Sequence, residues 1–141
     1  MPSYAARQTM TVAATPQACF DALTDYARIP QWQGGVKAAD VVESDATGAV
    51  VDYELDAKVR TVRYRLRLDY DTPHAIDSTY LSGDFKRLEA GWRFTPEGDG
   101  TLAELSIDLD PGRFVPGPVR RVVQDFVMRG AMRDLKRFVE S

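Results

Sequence analysis

Metal-binding and redox side chains are nearly missing from this chain. Its 141 residues hold one cysteine, Cys19, and one histidine, His74. A lone cysteine excludes an internal disulfide. One cysteine and one histidine set far apart make neither a structural zinc site nor a Cys-His catalytic pair. Cys19 has no acid or histidine cluster beside it and reads as a small buried residue of a first helix. His74, next to Pro73, reads as a turn residue. No metal and no cofactor is expected. Charge of one sign is missing too. Eighteen Lys and Arg stand against 21 Asp and Glu, a net −3, which argues against nucleic acid as a partner. No apolar run approaches the roughly 18 residues of a membrane span, and no signal peptide is visible. The cytoplasm is the expected compartment. Internal repeats and low-complexity segments are absent as well.

What is present fits one folded domain, residues 1–141. Hydrophobic residues make up 44 % and charged residues 28 %, the balance of a globular protein. Residues 4–13 alternate and read as a first strand. Thr15-Pro16 is a helix start, with Thr15 as N-cap and Pro16 as first helical residue. The short helix runs through Cys19, Phe20 and Leu23. Asp25 is expected to cap a second short turn, 26–29. Pro30 is expected to end it, because a proline disfavours helical geometry in the residue before it. Trp32 follows, then Gly34-Gly35. A tryptophan beside such a loop caps the end of the core or gates a pocket, and the cap is the commoner outcome.

Six strands come next. They span 36–43, 49–57, 61–70, 75–81, 85–95 and 101–109, joined mostly by tight turns. The segment 61–70 is the cleanest. Val62, Tyr64, Leu66, Leu68 and Tyr70 alternate with Arg63, Arg65, Arg67 and Asp69, a period of two with one wet face. Asp52, Glu54 and Asp56 occupy the outer face of the preceding strand, so cross-strand ion pairs are expected. That makes the arginine row a solvated face rather than a phosphate site. Further on, Leu88, Ala90, Trp92 and Phe94 share one face, and so do Ala103, Leu105, Ile107 and Leu109.

The last stretch, 118–139, reads as one long helix of roughly 33 Å. It is entered through Pro116, Gly117 and Pro118. Its apolar residues form two stripes. Val119, Val122, Val123, Phe126 and Val127 share one face. Met128, Ala131, Met132, Leu135, Phe138 and Val139 share another, and Gly130 lies at the changeover. The fold class is therefore α+β: a curved antiparallel sheet of about seven strands, two short helices after the first strand, and a long C-terminal helix across the sheet. Tight turns mean antiparallel neighbours, and the apolar face of the sheet must be covered. A curved sheet gripping one helix tends to leave space between the two.

Two segments resemble the START-like (SRPBCC) superfamily, in its coenzyme Q-binding and polyketide cyclase/dehydrase branch. One carries Phe20, Asp25, Ile29, Pro30 and Trp32 at the family's opening positions. The other reads Gly83, Phe85, Lys86, Leu88, Gly91, Trp92, Phe94 and Pro96, similar to the family's "G-x-F-K-x-L-x-G-x-W-x-F-x-P" run. With the order of elements, the resemblance spans nearly the whole chain. It implies a helix-grip fold with an elongated hydrophobic cavity between sheet and long helix.

The resemblance also implies a small hydrophobic ligand: a quinone, a lipid or a polyketide-like molecule. The protein would act as its carrier or sensor. The expected lining is Tyr53, Leu55, Tyr64, Leu66, Leu68, Tyr80, Leu88, Trp92, Phe126, Val127 and Met132, with Trp32 and Phe114 near an entrance. Tyrosine hydroxyls would anchor a ligand oxygen, because a buried hydroxyl without a partner is costly. Taken one at a time, these residues also suit a solid core. A polyketide aromatase or cyclase using the cavity tyrosines Tyr53, Tyr64 and Tyr80 is the alternative. It needs a proton donor and acceptor at the substrate, for which Asp40 and Ser78 would have to face inward. No catalytic residue of the family is carried over, since Arg63, Arg65 and Arg67 fall on the face opposite the apolar one. A second alternative is transient contact with a membrane or protein through Val119, Val122, Val123 and Phe126, with Arg120, Arg121 and Arg129 beside them. The chain is expected to be a monomer or homodimer.

Overall fold

The alternating segments form one sheet. The computed structural model describes residues 4–57, 60–112, 117–118 and 129–141. Strand β1 (Tyr4–Val12) is followed by helix α1 (Pro16–Thr24), a 3-10 turn (Tyr26–Arg28) and helix α2 (Ile29–Trp32). Six strands follow: β2 (Val36–Asp45), β3 (Gly48–Asp56), β4 (Thr61–Asp71), β5 (Ala75–Gly83), β6 (Arg87–Glu97) and β7 (Gly100–Asp110). Helix α3 (Ala131–Val139) closes the chain. All seven strands lie in one sheet of order β1-β7-β6-β5-β4-β3-β2, and every pairing is antiparallel. Register shifts occur twice in the β2–β3 pair and once between β4 and β5. Such irregularities bend strands and help the sheet curve.

The outer face carries the expected ion pairs. Glu54 faces Arg63 and Asp52 faces Arg65 across β3 and β4. Arg63 Nε donates to Glu54 at 2.8 Å, and Arg65 Nε and Nη2 donate to the two oxygens of Asp52 at 2.6 and 3.0 Å. The Asp52 and Arg65 side chains keep 43 % and 42 % of their surface exposed, so water screens the pair. A double-mutant cycle on Asp52→Ala and Arg65→Ala is expected to give a coupling of about 0.2–1 kcal/mol, falling as salt is raised. A larger, salt-insensitive coupling would contradict this.

Three local readings are corrected. Pro30 does not end a helical turn: Ile29 is itself helical (φ −52°, ψ −43°) and Pro30 is the second residue of α2. The side chain of Ile29 is 2 % exposed, and its burial outweighs the mild preference of a pre-proline residue for extended backbone. Asp25 makes no side-chain capping hydrogen bond and lies instead 4.0 Å from Arg28. Pro96 is not a turn residue but pairs with Thr101 inside β6. It can do so because β5 pairs β6 only as far as Arg93, so Pro96 needs no donor on that side.

Thr15 caps α1 as expected, its hydroxyl accepting from Ala18 N at 3.1 Å. Cys19 is fully buried in that helix. The long helix expected over 118–139 falls largely outside the described residues, and α3 is the part of it that is described. Ala131, Met132 and Leu135 are buried, and α3 packs on α1, β1 and α2. Arg129 and Gly130 make a π turn, a bulge that adds one residue to a helical repeat. The two apolar stripes of the sequence change over at this point. Glu140 Oε2 accepts from Ala13 N at 2.8 Å, and Lys136 Nζ donates to Thr11 O at 3.0 Å. These bonds fasten the helix end to the corner between β1 and α1. Val119, Val122, Val123, Phe126, Val127 and Phe114 lie outside the described residues.

Candidate functional site

The concave face of the sheet does not fill solidly. An apolar cavity of about 120 Å³ lies between the sheet, the two short helices and Ala131 of α3. Strand alternation builds its wall. Each strand from β3 to β7 presents every second side chain inward: Tyr53 and Leu55, then Tyr64, Leu66 and Leu68, then Ile76 and Ser78, then Leu88, Ala90 and Trp92, then Leu105, Ile107 and Leu109. Register aligns these rows. Tyr53 stands opposite Tyr64, Leu68 opposite Ser78, Ser78 opposite Ala90, and Trp92 between Ile76 and Leu105. Leu23, Ile29, Gln33 and Val36 close the helical end, and Phe85 completes the rim.

Seven of the residues expected at a ligand site, Tyr53, Leu55, Tyr64, Leu66, Leu68, Leu88 and Trp92, meet at this cavity. Three others lie off its wall. The Tyr80 hydroxyl is taken up by Phe85, donating to its carbonyl at 2.8 Å and accepting from its N–H at 3.1 Å. That bridge also removes the backbone of Phe85 from the β6 ladder, so the strand begins at Arg87 rather than at 85. Met132 is fully buried against the core. Trp32 stacks on Phe138 with ring centroids 4.9 Å apart, and the Arg28 guanidinium lies 5.5 Å from the same phenyl ring. The tryptophan thus joins α2 to the end of α3. Beside it, Gly34 N donates to the buried Asp134 carboxylate at 2.9 Å. Phe114, Phe126 and Val127 fall among the residues not described.

Of the two polar candidates for acid–base work, Ser78 lines the cavity. Asp40 is exposed on β2, on an outer groove with Asp52 and Arg63. Ala90, Leu105, Ile107 and Leu109, inward by the sequence pattern but not among the expected site residues, also line the cavity. The signal was present, in the same period of two. Gln33, in the Trp32-to-Gly34 corner, carries no periodic signal at all.

The described lining contains no Lys, Arg, His, Asp or Glu. Its polar groups are the Tyr53 and Tyr64 phenols, Ser78, Gln33 and the Trp92 indole. The two phenol rings stack with centroids 5.4 Å apart. Neither hydroxyl, nor that of Ser78, has a hydrogen-bond partner among the described residues, and each keeps some accessible surface. Burial pushes both phenols up from the ordinary tyrosine value, so they stay neutral donors. Behind them Tyr26 and Tyr70 share a short hydroxyl–hydroxyl bond, and burial raises both. Tyr80 is raised by burial as well.

The direction of these shifts sets how stability depends on pH. A phenol whose folded value lies above its unfolded value stabilises the fold fully below about pH 10, the unfolded tyrosine value. That stabilisation is lost as pH rises through the folded value. Alkaline titration followed by tyrosinate absorbance is therefore expected to show Tyr26, Tyr53 and Tyr64 ionising only together with loss of near-UV circular dichroism, with Tyr70 and Tyr80 ionising above the ordinary tyrosine value. Smooth ionisation of all six tyrosines near pH 10 in the folded protein would contradict it.

Among the described residues no cluster of three His, Cys, Asp or Glu could hold a metal, and no helix is long and apolar enough to cross a membrane. Comparison with known proteins gives two findings. Residues 12–136 match the model of a family described as polyketide cyclase / dehydrase and lipid transport. Several solved structures share the fold. The Zhui aromatase/cyclase from Streptomyces sp. R1128 superposes with a TM-score of 0.79 at 19 % identity, covering 98 % of this chain and 92 % of its own. A START superfamily protein from Mycobacterium smegmatis gives 0.80 at 20 %, covering 96 % and 97 %. A STAR-related lipid transfer protein from Xanthomonas axonopodis gives 0.73 at 16 %, covering 96 % and 85 %. At such identities the likeness is one of fold. No match was found among curated proteins.

Proposed function

The chain belongs to the polyketide cyclase/dehydrase and lipid transport family and shares the fold of a START superfamily protein, and from that premise we propose that it binds a small hydrophobic ligand in the cavity under α3, as a carrier or sensor. The ligand is a quinone, lipid or polyketide-like molecule. One observation carries this reading: an apolar cavity into which Tyr53, Tyr64 and Ser78 bring hydroxyls that no described residue satisfies. These half-buried hydroxyls meet open space rather than the protein partners that a solid core would give them. A ligand oxygen supplies the missing partner, and the leucine and aromatic walls supply the apolar contact typical of such sites.

The polyketide cyclase reading is weaker on the same chemistry. Cyclisation needs a base as well as an acid. The described lining offers neutral phenols and one serine hydroxyl but no carboxylate or imidazole. Native mass spectrometry of protein purified from its own host, followed by organic extraction, tests the proposal. A retained, chemically unaltered small apolar molecule at one per chain is the expected result. A ligand released as a cyclised product would favour the enzyme. A bare chain that also takes up no added hydrophobic compound would overturn both.

A further inference from the structure

The cavity's size, neutrality and donors narrow the ligand, on the premise that the cavity is the binding site. Its volume is about 120 Å³. An apolar cavity of roughly 150 Å³ takes up one benzene ring, whereas pockets for drug-sized ligands run to about 300–1,000 Å³. The space therefore suits one ring and not a fused polycycle. The wall is aromatic: the Tyr53 and Tyr64 rings stack within 17° of parallel, and Phe85 lies 5.3 Å from Tyr64, tilted by 41°. Trp92 stands on the wall formed by β6.

The described lining also favours a neutral ligand. No cationic side chain lies in the described lining. The arginines of β4 point the other way, onto Glu54, Asp52 and Asp69. A carboxylate entering the cavity would lose its hydration with no counter-charge to meet it. The hydroxyls of Tyr53 and Tyr64 are donors awaiting an acceptor, and a neutral carbonyl is the acceptor that adds no charge.

We infer that the site takes a neutral, single-ring carbonyl compound, an aryl ketone or a one-ring quinone, whose oxygen accepts from Tyr53 or Tyr64.

Acetophenone, ethylbenzene, benzoate and 9-acetylanthracene test this as probes by calorimetry or ligand-observed NMR, with wild type, Tyr53→Phe and Tyr64→Phe. Acetophenone is expected to bind wild type. At least one tyrosine variant should bind it about threefold to tenfold more weakly, the worth of one hydrogen bond. Ethylbenzene, equal in ring and without an acceptor, should bind all three proteins alike. Comparing each probe across variants cancels its own hydrophobicity. Benzoate and 9-acetylanthracene should bind at least tenfold more weakly than acetophenone. Equal tyrosine effects on both acetophenone and ethylbenzene would overturn the hydrogen bond, because a change in packing alone moves both. Binding of benzoate as tight as that of acetophenone would overturn neutrality, and tighter binding of 9-acetylanthracene would overturn the size limit while leaving the cavity as a ligand site. Failure of every probe to bind would remove the binding site itself.

Discussion

Ala90→Phe is expected to abolish ligand uptake while leaving the fold in place. Ala90 lies on the inward row of β6 between Leu88 and Trp92. Across the sheet it faces Ser78 on one side and Ile107 on the other. A benzyl group at this position projects into a cavity of about 120 Å³ and leaves no room for a second ring. Overpacking a filled core costs about 1–3 kcal/mol. Here the new ring enters empty space and recovers dispersion contacts that the lining lacks. The thermal midpoint should stay near that of wild type or rise, and affinity for acetophenone should fall by tenfold or more. Unchanged binding would mean that ligands bind elsewhere on the protein. Unfolding would mean that the space beside Ala90 is too small for a ring.

The grip of α3 on the rest of the molecule makes the second large prediction. Leu135 and Met132 are fully buried where α3 meets α1 and β1. Leu135→Ala removes the branched end of a side chain with no solvent contact, a change that costs about 2–5 kcal/mol. Set against a total stability of roughly 5–15 kcal/mol, this should lower the thermal midpoint by roughly 6–15 °C. The control is Leu81→Ala, where the side chain is 48 % exposed and the change should stay within about 0.5 kcal/mol. Equal effects of the two would mean that the helix end is not part of the cooperative fold.

Much of this architecture was legible because strands write their pattern plainly. In β4, Leu66 and Leu68 alternate with Arg65 and Arg67, and the charged partners on β3 stand in register. The burial of Leu88, Phe94, Ala103, Leu105 and Leu109 follows the same rule. Sequence reading failed where a tertiary contact overrode a local preference. Burial holds Ile29 helical before Pro30. The Tyr80 hydroxyl captures Phe85 and delays the start of β6. Pro96 stays in β6 because its second neighbour has already ended.

The site was half legible for a related reason. Periodicity says which face a residue is on, so Tyr53, Leu55, Tyr64, Leu66, Leu68, Leu88 and Trp92 could be named. It does not say how far along a curved sheet the open space extends. Tyr80 and Met132 share the apolar patterning of the lining but meet protein atoms instead of space. Gln33 and Ile29 reach the cavity only because α2 folds back over the end of the sheet.

The most direct measurement is a methyl NMR titration of the labelled protein with acetophenone. Binding in the cavity should shift the methyl signals of Leu55, Leu66, Leu68, Leu88 and Leu105 together, along one saturating curve. Val41, Val42 and Leu81, the exposed large hydrophobics among the described residues, should stay still. Shifts confined to Val41, Val42 and Leu81, with the five cavity leucines unmoved at saturation, would contradict a ligand site beneath α3.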